Sequence, residues 1–199
     1  MTGVQTCALP ILIKYNPIES VSSFLSKYQL DTDILNLVLT DALYAEKNSF
    51  DRINILLSAG ANPNFIEGYS MYEKKSILYK AIEKGDVTII ECLLRHGANP
   101  NLRNEDRERK SCLYEACHYY NCSIKKNINI DREILVRTII DLLLDYGLNM
   151  DESGINIKDA ICSFHKNLIT HMLNRPFYNN QHGENPFHMI ACQIGRAHV

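Results

Sequence analysis

Ile90-Glu91-Cys92-Leu93-Leu94-Arg95-His96-Gly97-Ala98-Asn99-Pro100-Asn101 is the stretch on which the fold turns. Its apolar residues recur at helical spacing, so they line one face of a helix. Gly97 then ends that helix, because glycine adopts the left-handed conformation at little cost. The Asn and Pro residues behind it favour a turn. Two other stretches repeat the pattern in register. One is Ile53-Asn54-Ile55-Leu56-Leu57-Ser58-Ala59-Gly60-Ala61-Asn62-Pro63-Asn64. The other is Ile140-Asp141-Leu142-Leu143-Leu144-Asp145-Tyr146-Gly147-Leu148-Asn149-Met150-Asp151.

Outward from this core, a second signature precedes the later copies. It reads Ser76-Ile77-Leu78-Tyr79-Lys80-Ala81, then Ser111-Cys112-Leu113-Tyr114-Glu115-Ala116, then Asn185-Pro186-Phe187-His188-Met189-Ile190. A Ser, Thr or Asn in the first place can cap a helix through its side-chain oxygen, and Pro in the second suits a first helical turn. The two signatures alternate along the chain. In this the segment 12–193 resembles the ankyrin-repeat family, whose pattern is Thr-Pro-Leu-His-x-Ala. The resemblance implies an all-α ankyrin-repeat solenoid of stacked helix-turn-helix units with short β-turn fingers. In such an array neither helix buries its stripe alone, so neighbouring copies share one core. Leu78, Ala81, Ile89, Ile90, Leu93 and Leu94 are the core expected of the clearest copy.

The period is uneven. Gly60 and Gly97 are 37 positions apart and Gly97 and Gly147 are 50 apart, against about 33 in the family. The first excess predicts a long finger near Phe65–Lys75. The second predicts an insertion between two helices of one repeat, around Tyr119–Glu133. Residues 33–193 are read as about four repeats plus a truncated last one. Leu37–Ala42 is expected to start the inner helix of the Gly60 repeat, and Ile155–Leu173 to form a degenerate copy in which Pro176 replaces the glycine. Ahead of these, residues 12–32 hold a further helix, either an N-terminal cap or part of an earlier repeat. Asn16, Pro17 and Glu19 read as its cap, first-turn proline and reciprocal partner, with Val21, Phe24, Leu25 and Tyr28 on one face.

The two ends carry a different signal. Ile194–Val199 can be encoded by ATC GGA AGA GCA CAC GTC. The opposite strand of that DNA, read one base in, encodes Thr6-Cys7-Ala8-Leu9-Pro10 and begins Ile11. This DNA resembles a sequencing-library adapter. Residues 1–11 and 194–199 are therefore expected to be adapter-coded and are set aside from fold reasoning, which removes a signal-peptide reading of the apolar run at Thr6–Ile13. The native ends are then expected to lie outside the chain.

Composition narrows the functional classes. The chain is 46% hydrophobic and 22% charged, with a formal net charge of -2. No basic surface points to nucleic acid, and no stretch approaches a membrane span. Cys112, Cys117 and Cys122, with His118 among them, suggest zinc, but their spacing departs from the paired motifs of structural zinc sites. The repeat register explains Cys112 and Cys117 as small buried residues instead. Cys117 and His118 adjoin and cannot face each other on a helix, so they form no dyad. Scattered cysteines point to a reducing compartment, hence a cytoplasmic protein. No phosphate loop, metal-carboxylate motif or serine elbow occurs. Neither a cofactor, a metal nor a catalytic residue is expected, and the chain is read as a non-enzyme.

The family resemblance implies a partner protein, held by the turn fingers and the concave face of the inner helices. On that scheme the first finger offers Tyr69, Met71 and Tyr72, and the second Arg103 and Arg107. The inner-helix face offers Lys80, Glu83, Glu115, His118 and Tyr119. Tyr, Met and Arg are types enriched at interfaces. Ile- and Asn-rich arrays of this kind look similar to those of intracellular bacteria and large DNA viruses, where they engage host proteins. The alternative is the targeting portion of a larger multidomain enzyme or effector whose catalytic domain lies outside this fragment.

Overall fold

The computed structural model describes Ile13 and residues 16–45, 49–68, 74–105, 109–124 and 130–149, with side chains other than those of 119–133. In chain order these hold α1 (Ile18–Lys27), α2 (Thr32–Leu43), α3 (Ser49–Ser58), β1 (Ile66–Glu67), β2 (Lys75–Ser76), α4 (Ile77–Lys84), α5 (Val87–Arg95), α6 (Cys112–Ile124) and α7 (Ile130–Asp145). The expected end segments 1–11 and 194–199 and the copies after Asp151 lie outside the described residues.

The helices pair as α2/α3, α4/α5 and α6/α7, and the pairs stack. Outer helix α3 packs on α5 and α5 on α7, inner helix α4 packs on α6, and α1 lies against α3. At eight and nine residues, α4 and α5 are too short to persist alone in water. They persist because one core runs through every layer, from Ile13 and Val21 to Leu143 and Leu148. Leu78, Ala81, Ile89, Ile90, Leu93 and Leu94 are all buried within it. Ala81 and Ala116 are fully buried at the helix contacts, where a larger side chain would overpack.

Local chemistry fixes where each helix starts and stops. Ser76 caps α4 by accepting the Tyr79 N–H at 3.2 Å, and Ser111 caps α6 by accepting from Tyr114 at 3.1 Å. Asp86 caps α5 and Asp31 caps α2 in the same way. The three outer helices end alike. The N–H of Gly60, Gly97 and Gly147 bonds the carbonyl of Leu57, Leu94 and Leu144, and the following N–H reaches back to Leu56, Leu93 and Leu143. This is the Schellman closure, and each glycine carries a positive φ of 102°, 88° or 89°.

Asparagines tie these closures together. The Asn64 amide donates to the Gly97 carbonyl at 3.1 Å and its oxygen accepts the Asn99 N–H at 2.7 Å. One layer on, Asn101 bonds the Gly147 carbonyl at 2.9 Å and the Asn149 N–H at 2.7 Å. Each layer thus satisfies exposed backbone groups of the next with a single side chain.

The fingers lie between each outer-helix closure and the start of the next inner helix. β1 and β2 pair antiparallel, Ile66 with Ser76 and Glu67 with Lys75, so the expected long finger has a short hairpin at its base. The second finger closes with the Asn104 N–H on the Lys110 carbonyl. It joins the first through the Glu105 N–H on the Lys74 carbonyl and the Ser76 N–H on the Asn104 side chain, both 3.1 Å.

Three expectations are corrected. Inner helix α2 begins at Thr32, not Leu37, because Asp31 caps it, and Leu37 is 46% exposed. Pro17, not Asn16, occupies the cap position of α1, with no side-chain cap bond; the Asn16 carbonyl instead accepts Arg52 Nη2 at 2.7 Å. The insertion expected between two helices around Tyr119–Glu133 falls largely within them: residues 119–124 belong to α6, of 13 residues, and 130–133 to α7, of 16.

Candidate interaction surface

The outward side of α4 is where the fingers and inner helices meet. Lys80 follows the buried Tyr79, and its ammonium pairs with Glu67 on β1. Lys75, on β2, pairs with Glu83 at 2.5 Å and lies 5.3 Å from the Tyr79 ring centre. The Tyr79 hydroxyl donates to Glu115 on α6 at 2.5 Å. Glu115 also approaches His118 at 3.9 Å. His118 stacks on Tyr114, with centroids 5.9 Å apart, and Lys110 of the second finger covers the other aromatic at 5.2 Å. A continuous row of polar and aromatic contacts therefore crosses from the first finger, over α4 and α6, to the second finger. Arg103 braces that second finger by donating to the Arg109 carbonyl at 3.0 Å.

The expected contact residues divide in place. Lys80, Glu83 and His118 lie in this row, with His118 half-exposed. Glu115 does not present itself to solvent: it is 7% exposed, and its carboxylate is engaged by Tyr79. Burial there follows from the longer reach of a Glu pointing back onto α4. Tyr69, Met71, Tyr72 and Arg107 lie outside the described residues, as does the Tyr119 side chain on α6. The sequence reading missed Lys75 and Tyr114 in the row. It also missed Leu37 on α2 and Tyr44 directly after it, which are 46% and 55% exposed. Tyr44 lies beside the row: partial burial, then the negative charge of Glu83, push its phenol above the usual range, with Lys75 opposing.

The cysteines stand apart from this surface. Cys92, Cys112 and Cys117 are all buried. Burial pushes the Cys112 thiol up to about 12, with a Ser76 hydrogen bond opposing and Glu115 adding. Burial also raises Cys92. Thiolates are the metal ligands and nucleophiles, so these two sites disfavour the reactive form. Among the described residues no group of three His, Cys, Asp or Glu could hold a metal ion, and no helix is long and apolar enough to cross a membrane.

Comparison with known proteins agrees with the geometry. A protein of Rickettsia bellii (strain RML369-C), described as "Putative ankyrin repeat protein", is 51% identical over 47 residues. The match covers 24% of this chain and 5% of that protein. The family profile "Ankyrin repeats (3 copies)" matches residues 39–153, more than half of the chain. Repeats of this type are in general protein-interaction modules. With its stacked helix pairs, glycine closures and paired fingers, the chain belongs to the ankyrin-repeat family.

Proposed function

We propose that this chain is a binding module that holds a partner protein across its fingers and the outward side of its inner helices. The observation that carries this reading is the braced row from Lys80 and Glu83 to His118 and Lys110. Its side chains are held in place before any partner arrives, so less conformational entropy is lost on binding. Lys80, Glu83, Arg103, His118 and Tyr119 are proposed contacts, with Tyr69, Met71 and Tyr72 of the first finger and Arg107 of the second. Glu115 takes a supporting role, orienting Tyr79 and His118 rather than meeting the partner.

Site-specific photocrosslinking tests this. A crosslinker placed at Glu83, Arg103 or His118 should capture one common protein. The same group at Glu91 or Asp145 on the outer helices should not. Replacing Tyr69, Tyr72 and Tyr119 by Ala should weaken capture while the melting transition stays unchanged. Crosslinks confined to the outer helices, or capture indifferent to the tyrosines, would overturn the reading.

A further inference from the structure

The outward stripe of α2 differs from the rest of the row. Between Asp33 and Ala45 the exposed residues are Asp33, Leu37, Asp41 and Tyr44. Their spacing of four, four and three places them on one helix face. No Lys, Arg or His occurs in α2. The neighbouring charges are spoken for: Lys80 by Glu67, Glu83 by Lys75, and Lys84 by the Leu43 carbonyl at 2.6 Å. Asp33 and Asp41 make no ion pair among the described residues. Among the described residues the stripe is therefore two carboxylates without an ion pair, alternating with two exposed large apolar groups and reaching the row at Tyr44.

We infer that this stripe docks a cationic amphipathic helix of the partner, with an aliphatic side chain seated between Leu37 and Tyr44 and one basic residue on each of Asp33 and Asp41. The inference rests on the interaction reading above and names the chemistry of its N-terminal end. The two carboxylates are eight residues apart, roughly 12 Å along the helix axis. A partner helix meets both with basic residues two turns apart. Charge complementarity selects such a partner and steers its approach, while Leu37 supplies the apolar anchor.

Two labelled helical peptides of about 16 residues decide it, titrated against the whole chain by fluorescence anisotropy. Both carry one leucine stripe; one has Arg two turns apart beside that stripe, the other Glu at the same places. The Arg peptide should bind at least about tenfold more tightly in about 0.05 M salt, with the gap narrowing at about 0.3 M. Asp33→Asn with Asp41→Asn should remove most of the gap. Leu37→Ala with Tyr44→Ala should weaken the Arg peptide about tenfold without moving the melting transition, since both side chains are exposed. Equal binding of the two peptides, no binding of either, or a gap that survives the Asp variants would overturn the inference. So would sedimentation showing a dimer that Leu37→Ala dissolves, because a second copy would then occupy the stripe. Crosslinks to a partner at Glu83 or His118 would persist through any of these failures, which separates this inference from the reading beneath it.

Discussion

The α4/α5 and α6/α7 pairs solve the same packing problem with very different amounts of chain. The first uses helices of eight and nine residues, the second of 13 and 16. Yet the outer helices close on the same glycine motif, and the same asparagine bridges join the closures at bond lengths within 0.2 Å. The capping serine recurs as well. The contrast shows that stacking register is set at the two pinned ends: the glycine closure of the outer helix and the finger-side start of the inner one. The α6 and α7 helices between those ends are free to lengthen.

The largest expected effect probes whether the longer pair packs as tightly as the shorter. Leu93 and Leu143 hold equivalent places four residues before Gly97 and Gly147, and both are fully buried. Leu→Ala at either should cost about 2–5 kcal/mol by lost transfer energy and an unfilled cavity. Denaturant unfolding should give similar losses at the two sites. A much smaller loss at Leu143 would mean that the insertion loosens its layer and lets the cavity collapse.

A pH dependence should distinguish the layers next. Cys112 stands where the α4/α5 pair has Ile77, directly after the capping serine, and both are buried. The folded thiol ionises at about 12 against an ordinary 9.0. Below about pH 9 it is neutral in both states and its stabilising effect is complete. Between about 9 and about 12 the unfolded chain gives up the proton and the folded chain keeps it. Stability should therefore fall by about 1.4 kcal/mol per pH unit from this group alone. Cys112→Val makes the position resemble Ile77 and should remove that part of the slope. Identical slopes for the two proteins would show that Cys112 is not the group responsible.

Asn64→Ala and Asn101→Ala break the bridges. Each change removes two hydrogen bonds but leaves backbone groups that water can reach, so about 1–2 kcal/mol is expected. Equal losses, read from thermal melts, would show that one register device serves both layers. A loss at Asn64 alone would show that the longer helices of the next layer hold their own register.

The sequence made the layer scheme legible because glycine closures and serine caps are local: Gly97 and Ser76 act within a few residues of themselves. The burial of Leu78, Ala81 and Leu93 followed from helical spacing. What escaped depended on distance. Glu115 reads as a surface acid because nothing local shows that the hydroxyl of Tyr79, 36 residues away, donates to its carboxylate. Lys75 looked like the edge of a finger, whereas the hairpin turns it onto Glu83. Repeat register puts the inner-helix start at Leu37–Ala42, but the Asp31 cap starts the helix at Thr32, five residues before Leu37. The Asp33–Tyr44 stripe was in principle readable from its spacing, but an exposed Leu is hard to tell from a buried one by pattern alone.

The smallest effect belongs to the paired charges that mark α4 off from α6. Lys80–Glu67 and Lys75–Glu83 tie the first finger to α4, whereas the corresponding ground on α6 is held by the Tyr114–His118 stack. The pairs are partly solvated, so screening limits each to about 0–1 kcal/mol. Glu67→Gln and Glu83→Gln together should leave the melting transition nearly where it was and weaken its dependence on salt. Their consequence lies instead in the finger: with Lys75 and Lys80 released, amide exchange at Glu67 and Lys75 should quicken, while the Asn104–Lys110 closure of the second finger stays protected. Faster exchange in both fingers would mean that the Glu105–Lys74 bond transmits the loosening, making the two fingers one mechanical unit rather than two.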